Sequence, residues 1–108
     1  MTQLYGMVDE LIIAVKASDI YKNYVREKER VAKHPQLKEE IDEYRRKNYE
    51  MQSMTHDEEM FDRIDQFQKQ YEEFRENPLV SDFLEAELAF CRLLQEVTGR
   101  IVQAMDFE

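Results

Sequence analysis

The chain has 108 residues and a formal net charge of -9, with 36% charged and 43% hydrophobic residues. Two glycines and two prolines leave few residues for turns. This argues against a β-sheet protein, in which turns recur often, and predicts a single all-helical domain over residues 1–108. The acidic balance argues against direct binding to DNA or to an anionic membrane, because both need a basic face.

A single cysteine, Cys91, excludes an internal disulfide and a thiolate-rich metal site within one chain. No apolar run approaches the roughly 20 residues needed to cross a bilayer. Residues 1–15 also lack the basic segment that begins a signal peptide. We therefore expect a cytoplasmic protein with no cofactor and no metal.

The first two of five expected helices cover residues 3–17 and 20–33. Apolar residues recur at spacings of three and four in both, as on one face of a helix. Ser18 and Asp19 are good N-cap residues and predict a break between them. The stripe of the first helix consists of Leu4, Met7, Val8, Leu11, Ile12 and Val15.

The third and fourth helices are predicted to form a long antiparallel hairpin. The third begins at Pro35, since proline fits the first helical position and disfavours helix in the residue before it. It ends near Ser53, and a capping box at 55–58 begins the fourth. Each has a seam with spacings of 4, 3, 4 and 3. The seams consist of Leu37, Ile41, Tyr44, Asn48 and Met51, and of Met60, Ile64, Phe67, Tyr71 and Phe74.

The fifth helix is expected to run from Pro78 to about residue 105 and to pack with the hairpin in a bundle-like, all-α fold. Its broad apolar set indicates burial on more than one side. Cys91 is interpreted as a small buried hydrophobe, and Gly99 as a site of close helix contact. The set consists of Phe83, Leu84, Leu88, Phe90, Cys91, Leu94, Val97 and Ile101.

The hairpin seams allow two interpretations: they close on each other within the chain, or they are shared with another chain. We favour the shared seam, because one short chain has too few helices to cover every stripe and large aromatic residues are typical interface anchors. The stripes of the other three helices are then ordinary core. The candidate interface consists of Ile41, Tyr44, Asn48, Met51, Met60, Ile64, Phe67, Tyr71 and Phe74.

Other polar clusters favour structural explanations. The run 56–59 fits the acidic first turn of a capped helix. Neither His34 nor His56 has a glutamate three residues before it, which excludes a di-iron bundle site within the chain. The basic patches 22–26 and 45–47 are flanked by acidic residues and are interpreted as solvated helix faces. RNA contact is therefore expected only indirectly, within a larger assembly.

The ordered motifs resemble the YlbF/YmcA family of small helical regulators from Gram-positive bacteria. The resemblance implies an all-α fold, oligomerisation and a regulatory role through protein complexes in competence, sporulation and biofilm formation. It also implies links to a phosphorelay and to an endoribonuclease that matures messenger RNA. The motifs are Ser18-Asp19-Ile20-Tyr21, His34-Pro35-Gln36-Leu37, Glu76-Asn77-Pro78-Leu79-Val80, Phe83-Leu84-Glu85-Ala86-Glu87 and Leu93-Leu94-Gln95-Glu96-Val97.

The C-terminal tail departs from this resemblance. Some family members carry clustered C-terminal cysteines that take part in an iron–sulfur cluster, whereas residues 102–108 contain none. The leading hypothesis is a cytoplasmic, non-enzymatic adaptor that forms a homodimer or homotetramer and binds other proteins. The alternatives are a structural oligomeric protein without a signalling role and a phosphotransfer module that uses His34 or His56.

Overall fold

The computed structural model describes residues 2–53 and 58–106. These residues form six α-helices and no strand, which confirms the all-α prediction. The predicted capping box and the cluster at 56–59, including His56, lie outside the described residues, apart from the start of one helix at 58. The helices are α1 (Thr2–Ala17), α2 (Asp19–Ala32), α3 (Pro35–Gln52), α4 (Glu58–Gln70), α5 (Glu72–Glu76) and α6 (Pro78–Ala104).

Capping side chains define the starts of α2 and α6. The Ser18 hydroxyl accepts a hydrogen bond from the backbone N–H of Tyr21 at 3.2 Å and donates one to the Val15 carbonyl at 2.6 Å. The Asn77 side-chain oxygen accepts one from the backbone N–H of Leu79 at 3.0 Å. Both side chains pair backbone groups that a helix end leaves free. The predicted break at Ser18 is confirmed.

The predicted fourth helix is interrupted at Tyr71, so the expectation of one continuous helix was wrong. Tyr71 has φ -104° and ψ 13°, outside regular helix geometry. The Arg75 guanidinium donates to the carbonyl oxygens of Gln68 at 2.9 Å and Tyr71 at 3.5 Å. These bonds pair carbonyls near the break.

The described chain divides into two compact units. The terminal unit comprises residues 2–28 and 83–106, and the hairpin unit comprises residues 29–82. The single domain predicted from the length stays a prediction.

The hairpin unit has a small aliphatic core and an aromatic cluster. Val31, Ile41 and Val80 are buried. On one side of α3, Tyr44 lies 5.4 Å from Phe67 and 5.2 Å from Tyr71, measured between ring centroids. Tyr44 lies eight residues before the end of α3, and its partner Phe67 lies nine residues after the start of α4. The two helices are therefore antiparallel, as predicted.

The terminal unit has its core between α2 and the first half of the long helix. Phe83 and Ala86 are buried. Phe90 lies 5.3 Å from Tyr21 and 5.0 Å from Tyr24, measured between ring centroids. These contacts confirm core positions on α2 and α6. α1 has no buried residue.

Candidate protein-interaction surfaces

The apolar stripe of α1 is largely exposed. Leu4 is 56% exposed, Met7 59%, Val8 43%, Leu11 38% and Ile12 45%. The interpretation of this stripe as ordinary core was wrong. Periodicity identifies an apolar face, but it does not tell which other element covers that face.

Much of the stripe of α6 after Phe83 is exposed. Phe83 is 4% exposed, and Phe90 and Val97 are half-buried, whereas Leu88 is 50% exposed, Leu94 42%, Ile101 51% and Met105, just past the helix end, 61%. The expected burial on more than one side is therefore wrong for the last turns of α6, which present apolar surface as α1 does.

The two exposed stripes border one groove within the terminal unit. Its volume is about 310 Å³. Lys16 and Thr98 also line it, but most of the lining is aliphatic, contributed by Leu11, Ile12, Val15, Leu94, Val97 and Ile101. We call the surface around it the α1–α6 face. It consists of Leu4, Met7, Val8, Leu11, Ile12, Leu94, Ile101 and Met105.

The candidate interface on the hairpin is partly used inside the chain. Ile41 is 1% exposed, and the other eight candidate residues are half-buried. Tyr44 contacts three rings of the opposite seam, those of Phe67, Tyr71 and Phe74. The seams thus pack against each other over the aromatic cluster. Their contact with another chain stays a prediction.

A cation borders the aromatic cluster. The Lys47 Nζ lies 3.0 Å from a Glu43 carboxylate oxygen and 5.7 Å from the centroid of the Tyr71 ring. The hydrogen bond to Glu43, and to a smaller extent the one to Tyr71, raises the pKa of Lys47 above its ordinary value of 10.5. Lys47 also lines a groove of about 260 Å³ with Met51 and Arg63. This part of the hairpin therefore combines charge with apolar surface.

Several residues are more exposed than the sequence indicated. Tyr49 is 72% and Phe61 74% exposed, and neither lies on a predicted seam, so helical spacing gave no reason to select them. Cys91 is exposed, so its interpretation as buried was wrong. A Cβ built on Gly99 meets nothing within 4 Å, so the expected close contact is absent within the described chain.

The basic patches have acidic or amide partners, as on a solvated face. Arg45 lies 3.8 Å from Asp42, and Arg26 donates a hydrogen bond to Asn23. Glu27 beside the first patch is an exception, because it is only 7% exposed. In the described ranges, no three histidine, cysteine or acidic side chains are grouped as metal ligands. None of the helices described is long and apolar enough to span a membrane.

Residues 4–106 match the family described as control of competence regulator ComK, YlbF/YmcA. The chain belongs to this family. The resemblance stated from the motifs is thereby confirmed. The family description supports a regulatory role.

Two curated relatives carry the designation UPF0342. The chain is 24% identical to a UPF0342 protein from Caldicellulosiruptor bescii and 24% identical to one from Caldicellulosiruptor saccharolyticus. Each alignment spans 110 residues and covers 100% of this chain and 92% of the relative. No solved structure matches at a significant level.

Proposed function

We propose that this protein is a non-enzymatic cytoplasmic regulator that acts on competence control by binding other proteins. The observation that carries the proposal is the exposed α1–α6 face in a member of a competence-control family. Large exposed apolar side chains grouped around a groove often mark a protein-interaction site, because apolar surface is costly to leave in water. We also propose that the protein regulates sporulation, biofilm formation and messenger RNA processing through such complexes.

The hairpin is proposed as the surface for a different protein. Its half-buried seam residues keep part of their apolar surface accessible, and the exposed Tyr49 and Phe61 add aromatic area on the same unit. The groove beside Met51 brings Lys47, Glu50 and Arg63 next to apolar atoms. Aromatic anchors with a charged rim are typical of protein interfaces.

The regulatory role is tested by deleting the gene in its native cell and measuring transformation frequency and the level of the competence regulator. We expect both to change and to be restored by the wild-type chain. If neither changes while the purified chain still oligomerises, the alternative of a structural protein without a signalling role replaces the proposal.

The hairpin surface is tested with Met51→Glu, which places an acid in the groove without removing a ring from the aromatic cluster. We expect the variant to remain helical and to lose partners that the wild-type chain captures in its native cell. Ile13→Glu also replaces an apolar side chain by an acid, at a position that is 67% exposed and outside both surfaces. Equal loss with both variants would contradict a specific hairpin site.

A further inference from the structure

We propose that an aromatic patch on one side of the hairpin binds an arginine-rich segment of another protein. The aromatic patch consists of Tyr49 on α3 and of Phe61, Asp62 and Asp65 on α4. The inference deepens the proposed function and rests on it only in treating the protein as one that binds other proteins. It names the chemistry of a partner, and it assigns that partner to a surface separate from the α1–α6 face and from the groove beside Met51.

The two rings of the patch are unusually exposed. Phe61 is 74% and Tyr49 72% exposed, the highest values for large hydrophobic side chains among the residues that the structure describes. In the same part of the chain, neither ring contacts another ring or a cation, whereas the Tyr71 ring contacts Tyr44 and Lys47. Aromatic rings supply large contact area at a low cost in conformational entropy. Both rings are therefore available to a partner.

Tyr49 and Phe61 lie on the same side of the hairpin. Each comes one position after a seam residue. Five side chains that line the groove beside Met51 each come one position before a seam residue and belong to both helices: Lys47, Glu50, Arg63, Gln66 and Gln70. One residue turns a helix by about 100°, so positions before and after the seam lie on opposite sides. The groove thus occupies one side of the hairpin and the two rings the other.

The two rings also lie at about the same height along the hairpin. Tyr44 and Phe67 are in contact across the antiparallel helices, with ring centroids 5.4 Å apart. Tyr49 follows Tyr44 by five residues, and Phe61 precedes Phe67 by six. At about 1.5 Å per residue, these steps cover about 8 Å and about 9 Å in the same direction. The rings therefore form one patch rather than two separate exposed positions.

The charge of α4 and α5 favours a cationic partner. Residues 58–76 hold seven acids and three bases. Asp62 and Asp65 follow Phe61 by one and four residues, and both are exposed. Neither has an ion pair within the described ranges. Two carboxylates beside the rings thus remain available to a cation from another chain.

The cations of α3 near the patch do not cancel this charge. Arg45 is paired with Asp42 at 3.8 Å, and Arg46, one turn before Tyr49, leaves one cation against two carboxylates. An arginine side chain stacks on aromatic rings and pairs with carboxylates through the same planar group. A lysine ammonium has no such plane. The combination of exposed rings and carboxylates therefore favours arginine.

The site is tested with fluorescein-labelled hexa-arginine as the probe, titrated with the full chain at about 150 mM salt and followed by fluorescence anisotropy. We expect hexa-arginine to bind more tightly than hexa-lysine, which has the same charge. In Tyr49→Leu with Phe61→Leu, the preference should disappear and hexa-arginine should bind about tenfold more weakly, because two stacking contacts are lost. Leucine is a good helix former, and both positions are exposed, so the helical circular dichroism should be kept.

A matched pair of charge variants separates the patch from the general acidity of the chain. Asp62→Asn with Asp65→Asn removes two charges from the patch, and Asp9→Asn with Glu10→Gln removes two from exposed positions on α1. The first variant should weaken hexa-arginine binding by about threefold or more. The second should leave it nearly unchanged.

Four results would overturn the inference. They are no binding of hexa-arginine at about 1 mM chain, no preference over hexa-lysine, equal weakening by the two charge variants, and loss of binding in Met51→Glu but not in the aromatic variant. Self-association that depends on Tyr49 and Phe61 would place a second copy on the patch and reject it as well.

The same measurements keep the patch distinct from the proposed function. Hexa-arginine binding at the patch, with no change in competence on gene deletion, would reject the proposed function and leave the patch standing. A competence change without hexa-arginine binding would reject the patch and leave the proposed function standing.

Discussion

Ser18 connects two helices through one hydroxyl group. It accepts from the Tyr21 N–H and donates to the Val15 carbonyl. Ser18→Ala removes both bonds, and we expect the free energy of unfolding to fall by about 1 kcal/mol, the usual cost of a lost N-cap. Urea denaturation measures the change. Ser18→Asp can still cap α2 and should recover most of the loss; equal loss in both variants would contradict the capping role.

Lys47 provides a prediction for the pH dependence. Because the pKa of Lys47 is raised, chiefly by Glu43, the stabilising contribution of its charge is complete below pH 10.5. The contribution is lost as the pH rises through the higher folded pKa. In Glu43→Gln we expect the pKa of Lys47 to move back toward its ordinary value, as measured by NMR titration of the ammonium group. An unchanged pKa would show that Glu43 is not the main cause.

At the scale of elements, α1 and α3 differ in how much of their apolar stripe the chain covers. Ile41 on α3 is 1% exposed, whereas Leu4 on α1 is 56% exposed. Ile41→Ala should therefore lower the free energy of unfolding by about 3 kcal/mol, through lost burial and a residual cavity. Leu4→Ala should cost under about 1 kcal/mol in dilute monomer. Urea denaturation at low protein concentration checks both, and equal costs would contradict the difference in burial.

Helix starts were easier to predict than the interruption at Tyr71. The start at Pro35 follows from local chemistry, because proline restricts its own φ angle and the residue before it. Apolar spacing, in contrast, continues through Phe67, Tyr71 and Phe74 as though the helix were unbroken. The bonds from Arg75 to two carbonyls accompany the break. They involve a long side chain whose direction no spacing rule provides.

For the whole molecule, the sequence predicted where apolar faces occur but wrongly assigned a cover to α1 and to the last turns of α6. The stripes of α1 and α6 were correctly located, and Phe83 is buried as expected. Their exposure at Leu4 and Ile101 depends on how far other helices reach, which periodicity does not encode. The aromatic seams of the hairpin carry the same pattern and pack against each other. The same apolar spacing thus occurs in helices whose stripes are packed against another helix and in helices whose stripes are exposed. The α1–α6 face is the larger of the exposed surfaces.

Coupling of folding to association gives a prediction for the whole chain and tests the homodimer expected from the sequence. If unfolding of a dimer also separates its copies, each tenfold rise in concentration adds about 1.4 kcal/mol to the stability of the dimer. With about 2.1 cal/mol/K of unfolding entropy per residue over roughly 200 residues, Tm should rise by about 3 °C per tenfold. Calorimetry at several concentrations measures this shift. In Leu4→Glu with Met7→Glu, two acids replace exposed apolar residues of the α1–α6 face, and a Tm independent of concentration would place the dimer contact there, whereas Ile13→Glu should keep the wild-type slope. A wild-type Tm that does not change with concentration would contradict a homodimer at the concentrations measured.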